Sequence, residues 1–169
     1  MSRAGFTVLL LACCLCFLTS PGSAPAQKGA KDIFTTLKLN GVVFKSWTKA
    51  IEQAGLTKIY QGKEPMVTMF APNEDAFGKL KKDDLDELWK DKVKLIKLVT
   101  YHTIENERLE VEQIAKKGKL QNALLVPLML KKEDDGNIKI NGALIVTPDV
   151  PATNGIIHGL DGFLVPPLK

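Results

Sequence analysis

The sequence predicts an α+β fold with helices mainly in the N-terminal half and strands mainly in the C-terminal half. Up to Gly118 the apolar residues recur at helical spacing. After Gly118 the apolar runs are short, and turn signals such as Asp135-Gly136 and Asn141-Gly142 separate them. Helices gathered early and strands gathered late are typical of α+β proteins, whereas α/β proteins alternate the two.

Residues 1–26 have the pattern of a signal peptide. Arg3 gives a positive start, the apolar run 6–18 carries no charge, and a small-residue pattern places the cut after Ala26. The apolar run is shorter than the roughly 20 residues that span a bilayer, so we expect no transmembrane span in the mature chain. A retained anchor and a lipid on Cys13 are the alternatives to this processing. We expect a secreted, extracellular protein, which would be periplasmic or at the cell surface in a bacterium.

The mature chain is predicted to be one domain over residues 32–169, behind a disordered lead-in of residues 27–31. All three cysteines lie in the signal segment, so the domain has no disulfide, no thiol nucleophile and no cysteine ligand for zinc. The formal net charge is +4, and lysines are interleaved with acids. Beyond the signal segment only Arg108 is an arginine, the residue type that reads bases and clamps phosphates. We therefore expect no nucleic-acid partner.

Apolar spacing and capping residues predict five helices. Asp32 is placed to cap the first helix, and Asn40-Gly41 ends it. Apolar residues from Val43 to Ala54 form one face of the second helix, and Gly55 stands where a C-terminal cap belongs. The predicted ranges are 33–39, 43–54, 83–89, 92–101 and 110–117.

Short apolar runs between turn signals predict six strands. Pro127 confines one of them to a strand end or a sheet edge. Asn141-Gly142 predicts a tight hairpin between two others. The predicted ranges are 66–70, 124–130, 138–140, 143–147, 155–160 and 163–165.

Three motifs follow one another in a recognisable order. The first is a strand that runs through Phe70-Ala71-Pro72 to Asn73 and Phe77. The second is Tyr101-His102 at the end of an apolar helix, and the third runs from Asn154 to Pro166 as N-G-I-I-H-G-L-D-G-F-L-V-P. In this order the motifs resemble the signatures of the fasciclin domain family over residues 32–167, as in a single-domain secreted member.

The resemblance implies a wedge of two β-sheets flanked by helices, found in extracellular adhesion, matrix and cell-surface proteins, with no cofactor. Gly159 and Gly162 stand where the family commonly has larger residues. The positions that carry the fold signature are Phe70, Pro72, Asn73, Phe77, Asn154, Gly155, His158, Asp161 and Pro166.

The first motif has a physical interpretation of its own. Pro72 ends a strand, and Asn73 is placed to cap a short helix. Phe70 and Phe77 are expected to bury aromatic area where the strand joins the helix. This corner therefore specifies the fold.

No catalytic, metal-binding or cofactor-binding residue is predicted, and we expect no enzyme. Ser46 is the only serine beyond the signal segment and lacks the Gly-x-Ser-x-Gly turn of a hydrolase. His102 and His158 are the only histidines, and neither has a metal-spaced partner. His158 is expected on a buried strand face, with Asp161 and nearby backbone satisfying its ring nitrogens.

The function predicted is a binding or adhesion module that contacts a protein or polysaccharide at the cell surface or in the matrix, as a monomer or weak homo-oligomer. The alternative is a carrier of an apolar small molecule, such as a lipid or pigment. Contact is expected on the exposed flank of helix 92–101 and on a stiff loop over 148–152. The candidate contact residues are Tyr101, His102, Asp149 and Pro151.

Overall fold

The computed structural model describes residues 31–164, in which the chain forms seven helices and seven strands. The predicted signal peptide, the lead-in before Lys31, and Pro166 lie outside this range. The helices are α1 (Ile33–Leu39), α2 (Gly41–Ala54), α3 (Thr57–Gln61), α4 (Glu74–Gly78), α5 (Lys82–Lys90), α6 (Lys92–Tyr101) and α7 (Val111–Lys116). The strands are β1 (Val67–Pro72), β2 (Thr103–Glu105), β3 (Lys119–Gln121), β4 (Pro127–Lys132), β5 (Ile138–Ile140), β6 (Ala143–Ala152) and β7 (Gly155–Leu160).

The α+β class is confirmed, since the helices lie mostly before the strands. The strands are hydrogen-bonded in the order β2-β1-β7-β6-β5-β4-β3. β1 and β7 are parallel, and the other neighbours are antiparallel. β6 pairs with both β5 and β7, so the expected two sheets are joined into one mixed order. β1 and β7 are the second and third strands of this order, and they are the first and last strands along the chain. A parallel pair needs a long connection, and here it contains the other five strands.

Capping residues set the helix ends where the sequence predicts them. Oδ1 of Asp32 accepts a hydrogen bond from the N–H of Thr35 at 2.8 Å, and Gly55 ends α2 in the left-handed region at φ +78°. At α7 the Glu110 and Gln113 side chains form a reciprocal capping box. The predicted helices are confirmed because these signals act within one turn.

The predicted loop over 148–152 is wrong, because these residues continue β6. The register of β6 against β7 shifts between Ile145 and Thr147 and again between Thr147 and Val150. Asp149 lies within the second shift with φ +56°. Such bulges let a strand contain prolines and still pair on both sides of the interruption.

Two other strand predictions also differ from the structure. β4 begins at Pro127 instead of residue 124, because a turn occupies the chain before it. Phe163 and Leu164 belong to no strand. The short elements α3, β2 and β3 carry no clear local signal and were not predicted.

The core consists of two apolar clusters. One packs the helices against the sheet and includes Trp47 and Met69, and the other includes Phe70 and Ile140. Met69 and Phe70 are neighbours in β1, so their side chains point to opposite faces of the sheet. Phe77 belongs to the first cluster, so the two aromatic residues of the first motif are buried in different clusters.

Candidate binding groove beside helix α6

An apolar groove of about 400 Å³ runs beside α6. It is called the α6 groove here, and its lining residues are Leu88, Lys94, Lys97, Leu98, Tyr101, Leu124, Val126 and Leu164. All of them are apolar or aromatic apart from the two lysines. The groove lies on the helix where the sequence predicts partner contact, and it is therefore the candidate functional site.

One wall of the groove is the turn between β3 and β4, which a buried asparagine holds. Oδ1 of Asn122 accepts hydrogen bonds from the N–H groups of Leu124 and Val126, at 3.0 and 2.9 Å. Its Nδ2 donates to the carbonyl of Tyr101 at 3.0 Å, which ties the turn to the end of α6. Leu125 is 74% exposed and has φ +60°, a conformation that leucine rarely adopts. The turn is therefore held in an unusual shape by the hydrogen bonds of one buried side chain, Asn122.

A second wall is the segment after β7, which His102 holds. The N–H of Leu164 donates to Nε2 of His102 at 2.9 Å, and Nδ1 of His102 lies 2.8 Å from the carbonyl of Leu98. Because Nε2 accepts, Nδ1 carries the hydrogen and donates to Leu98, as in a neutral imidazole. This histidine therefore joins α6 to the end of the described chain.

The structure corrects the expected contact at His102, whereas contact with a partner at Tyr101 stays a prediction. Tyr101 is 4% exposed and His102 is fully buried, so the histidine is not available to a partner. The Tyr101 hydroxyl accepts a hydrogen bond from Nδ2 of Asn141 at 3.0 Å, and one edge of its side chain lines the groove. Through Asn122 and Leu164, the pair positions both walls of the groove.

Protonation of His102 is expected to destabilise the fold in mild acid. Burial lowers the pKa of His102 from 6.5 to about 4, against the opposing effect of its bond to Leu98. The unfolded chain therefore takes up the proton first as the pH falls below 6.5. Stability that is present above pH 6.5 is lost toward pH 4, and we expect the free energy of unfolding to be about 2 kcal/mol lower at about pH 5 than at about pH 8.

Urea unfolding at several pH values measures this loss. His102→Gln removes the titrating group, so its stability should depend less on pH over the same interval, although it should be lower at neutral pH. Equal pH dependence in the parent and in His102→Gln would show that other groups cause the effect.

His158 is also fully buried, and of its predicted partners the backbone contacts the ring but Asp161 does not. Its Nδ1 accepts a hydrogen bond from the N–H of Asp149 at 3.2 Å, so Nε2 carries the hydrogen and donates to the carbonyl of Leu109 at 2.8 Å. Burial lowers the pKa of His158. The predicted partner Asp161 instead accepts from the N–H of Leu144 at 2.8 Å. Neighbouring backbone therefore satisfies the ring, and Asp161 does not.

Asp149 and Pro151 are exposed on β6, away from the α6 groove. Oδ1 of Asp149 accepts a hydrogen bond from the N–H of Val111 at 2.9 Å, at the first residue of α7. A carboxylate at a helix N-terminus is stabilising, so Asp149 has a structural role whatever it contacts. Contact with a partner at these two residues stays a prediction.

The lysines at the groove differ in their pairing. Lys94 forms an ion pair with Glu87, and this bond raises the pKa of Lys94. Lys97 forms no ion pair within residues 31–164.

A second hollow of about 300 Å³ shares Leu88, Lys94 and Leu98 with the α6 groove and continues toward Phe163. The exposed flank of α6 is thus concave along much of its length.

The described part of the chain contains no group of three or more histidines, cysteines or acids that could hold a metal.

Ser46, the serine considered as a nucleophile, has a structural role. Its N–H and its hydroxyl both donate to the Glu74 carboxylate, at 2.6 and 2.8 Å. This pair caps α2 where it restarts after the non-helical Phe44. Within residues 31–164 every buried side-chain nitrogen or oxygen has a hydrogen-bond partner, as in a structural core.

Sequence reasoning did not find most of the groove. Its walls come from α5, α6, the β3–β4 turn and the segment after β7, which local patterns do not place together. Asn122 gave a usable signal, because asparagine commonly accepts from the backbone two residues further on. The apolar run 124–130, which predicts a strand over its whole length, hides that signal.

Comparison with known proteins identifies the family. In a solved structure of a FAS1 domain pair from the insect cell adhesion molecule Fasciclin I, 51% of that chain aligns with 82% of this one at a TM-score of 0.63. The sequence identity is 16%, so this likeness shows the fold. The family model of the fasciclin domain matches residues 42–166. The chain belongs to the fasciclin domain family.

Several relatives share most of this chain. A protein of Synechocystis sp. is 30% identical over 155 residues, which cover 89% of this chain and 84% of that protein. The cell surface glycolipoprotein MPB83 of Mycobacterium bovis is 29% identical over 89% of this chain and 67% of its own length. Stabilin-1 of Mus musculus is 34% identical over 74% of this chain, and the aligned part is only 5% of stabilin-1.

Within residues 31–164 the structure has no helix with both the length and the apolar character that a membrane span requires.

Proposed function

We propose that this chain is an extracellular, non-catalytic binding module, and that the α6 groove receives an apolar side chain of a cell-surface or matrix protein. The observation that carries the proposal is an apolar groove whose two walls are fixed by buried hydrogen bonds. Walls that are ordered before binding cost little entropy when a partner docks. A few well-packed apolar contacts of this kind supply most of the affinity of many interfaces.

The chemistry of the groove favours a protein partner over a glycan. Sugar hydroxyls need hydrogen-bond partners when they are buried. The charged groups that the groove offers are the ammonium groups of Lys94 and Lys97, and most of its other lining side chains are apolar. An aliphatic or aromatic side chain needs only apolar walls. The names of two similar proteins, a cell surface glycolipoprotein and a cell adhesion molecule, support the same class of function.

A second candidate is a carrier of an apolar small molecule, and the size of the same groove favours it. Small-molecule sites have volumes of about 300 to 1,000 Å³, and the α6 groove falls in the lower part of that range. The adjoining hollow of about 300 Å³ would extend the site. Native mass spectrometry of the purified protein separates the two candidates, because a carrier retains a small ligand and an adhesion module does not.

Polar substitution in the groove is expected to reduce attachment of cells to surfaces coated with the protein. Leu124 is 42% exposed, so Leu124→Ser should leave the fold intact while removing an apolar wall. We expect about a fivefold or larger loss of attachment, equivalent to one moderate interface contact. Lys97→Glu, at the edge of the groove, should change attachment less, and more strongly at low salt.

The matched control is Val146→Ser, because Val146 is 43% exposed on β6 and does not line the groove. Pro151→Ala tests the rival surface around Asp149 without removing the cap of α7. Circular dichroism establishes that each variant is folded. Loss of attachment in Pro151→Ala with full attachment in Leu124→Ser would refute the α6 groove as the contact site.

A further inference from the structure

Charge is distributed unevenly over this domain. Residues 31–63 contain six lysines and two acids, a net charge of +4, whereas residues 64–164 contain fourteen basic and seventeen acidic residues, a net charge of −3. All six lysines are exposed. Residues 31–63, which include the first three helices, therefore carry a net positive charge on a domain whose remainder is net negative, and this favours one orientation toward an anionic partner.

Two exposed apolar side chains stand at the junction of α1 and α2 within this basic region. Leu39 is 73% exposed and Val42 is 93% exposed. Their neighbours Leu37 and Phe44 are buried, so both helices turn their core faces inward and leave these two side chains outside. A single exposed apolar residue is common, but two at one helix corner beside several lysines form an amphipathic tip.

The lysines nearest this tip share one surface hollow. Lys38, Lys45 and Lys49 line a hollow of about 350 Å³ together with Gly41, which lies between Leu39 and Val42 in the sequence. Lys38 is paired with Glu52 at 3.4 Å, and Lys49 lies 4.3 Å from the centre of the Trp89 ring.

Lys45 forms no ion pair within residues 31–164 and keeps its charge available to a partner. Three lysines therefore lie in a hollow with Gly41, the residue that joins Leu39 to the segment of Val42. We call this surface, formed by Lys38, Leu39, Val42, Lys45 and Lys49, the α1–α2 corner.

We infer that the α1–α2 corner docks on a membrane surface that contains anionic lipid. Leu39 and Val42 enter the headgroup region, and the lysines meet the lipid phosphates. Each lysine near an anionic surface contributes on the order of 1 kcal/mol, and shallow burial of two apolar side chains adds to it. A hydrated acidic polysaccharide could pair with the lysines, but it has no apolar interior in which the tip could be buried. This surface is separate from the α6 groove, so the inference goes beyond the proposed function.

Sedimentation with lipid vesicles tests the inference on the purified secreted protein. Vesicles of phosphatidylcholine with about one third phosphatidylglycerol should bind the protein, and pure phosphatidylcholine should bind it much less. Binding should weaken strongly between about 0.1 M and about 1 M salt. Lys45→Glu should lower the partition coefficient at least about fivefold, and the double variant Leu39→Ser with Val42→Ser should lower it roughly tenfold.

The charge-matched control is Lys132→Glu, because Lys132 is exposed on β4 outside the basic region. This variant should bind vesicles as the parent does. Equal losses in Lys45→Glu and Lys132→Glu would show that net charge alone drives binding, and would overturn the inference. Retention on heparin that depends on Lys45 but not on Leu39 or Val42, with no vesicle binding, would overturn it in favour of an acidic polysaccharide.

Discussion

Replacing Gly155 with alanine is expected to lower the free energy of unfolding by about 3 kcal/mol or more. A Cβ at this position would lie 1.9 Å from the carbonyl oxygen of Val67 and 2.9 Å from Cδ1 of Ile33. Gly155 pairs with Val67 at the start of the parallel β1–β7 pair, so the obstructing atom belongs to backbone that the sheet holds in place. The overlap can be relieved only by separating β1 from β7, each of which is also paired with a second strand.

Urea unfolding of Gly155→Ala measures the effect, and Gly78→Ala is the matched control. A Cβ at Gly78 meets nothing within 4 Å, and this glycine ends a helix, so its replacement should change stability by about 0.5 kcal/mol or less. Similar stability in the two variants would mean that β1 and β7 do not approach as closely at Gly155 as described.

The sequence predicts this fold well where interactions within a single turn of the chain determine the local structure. The range 92–101 predicted for α6 is that of the structure, because Asp91 accepts hydrogen bonds from the N–H groups of Val93 and Lys94 at its start. Asn73 likewise accepts from the N–H of Ala76 and begins α4 as predicted. Such caps need no information from distant residues.

The sequence fails where two distant segments decide the outcome together. Pro148 and Pro151 predict a loop, yet β6 continues through them because β7 pairs with it on both sides of a bulge. His102 ends a helix and so looked accessible, but Leu164, 62 positions later, covers it. The candidate site depends on these long-range contacts, and the sequence predicts only its location on the flank of α6 and one of its lining residues, Tyr101.

The family resemblance identified the important positions without giving the physical reason for each. Asn154 and Gly155 were predicted to carry the fold signature as neighbours in one motif. In the structure the two residues have different roles. Gly155 leaves space for a carbonyl oxygen of the neighbouring strand, whereas the side chain of Asn154 forms hydrogen bonds that join three segments of the chain. That difference makes their replacement testable by separate variants.

Replacing Asn154 with alanine is expected to lower the free energy of unfolding by about 4 kcal/mol. Asn154 is 1% exposed, and its Oδ1 accepts a hydrogen bond from the N–H of Ile33 at 2.8 Å. Its Nδ2 donates to the carbonyls of Tyr60 and Gly62 at 2.9 and 2.7 Å. Alanine would leave one buried donor and two acceptors without this partner, and each such loss costs about 1 to 3 kcal/mol. The contacts join α1 and the end of α3 to the chain that enters β7.

Two further variants show whether the loss comes from the hydrogen bonds of Asn154: one changes only its donor group, and the other is a surface control. Asn154→Asp keeps the acceptor for Ile33 but loses the donor and places a carboxylate against two carbonyl oxygens, so it should be at least as unstable as Asn154→Ala at neutral pH. Asn137→Ala is the surface control, because Asn137 is exposed in the turn before β5 and should cost about 1 kcal/mol or less. If Asn154→Ala unfolds at the same urea concentration as Asn137→Ala, Asn154 does not hold the first helices to the sheet.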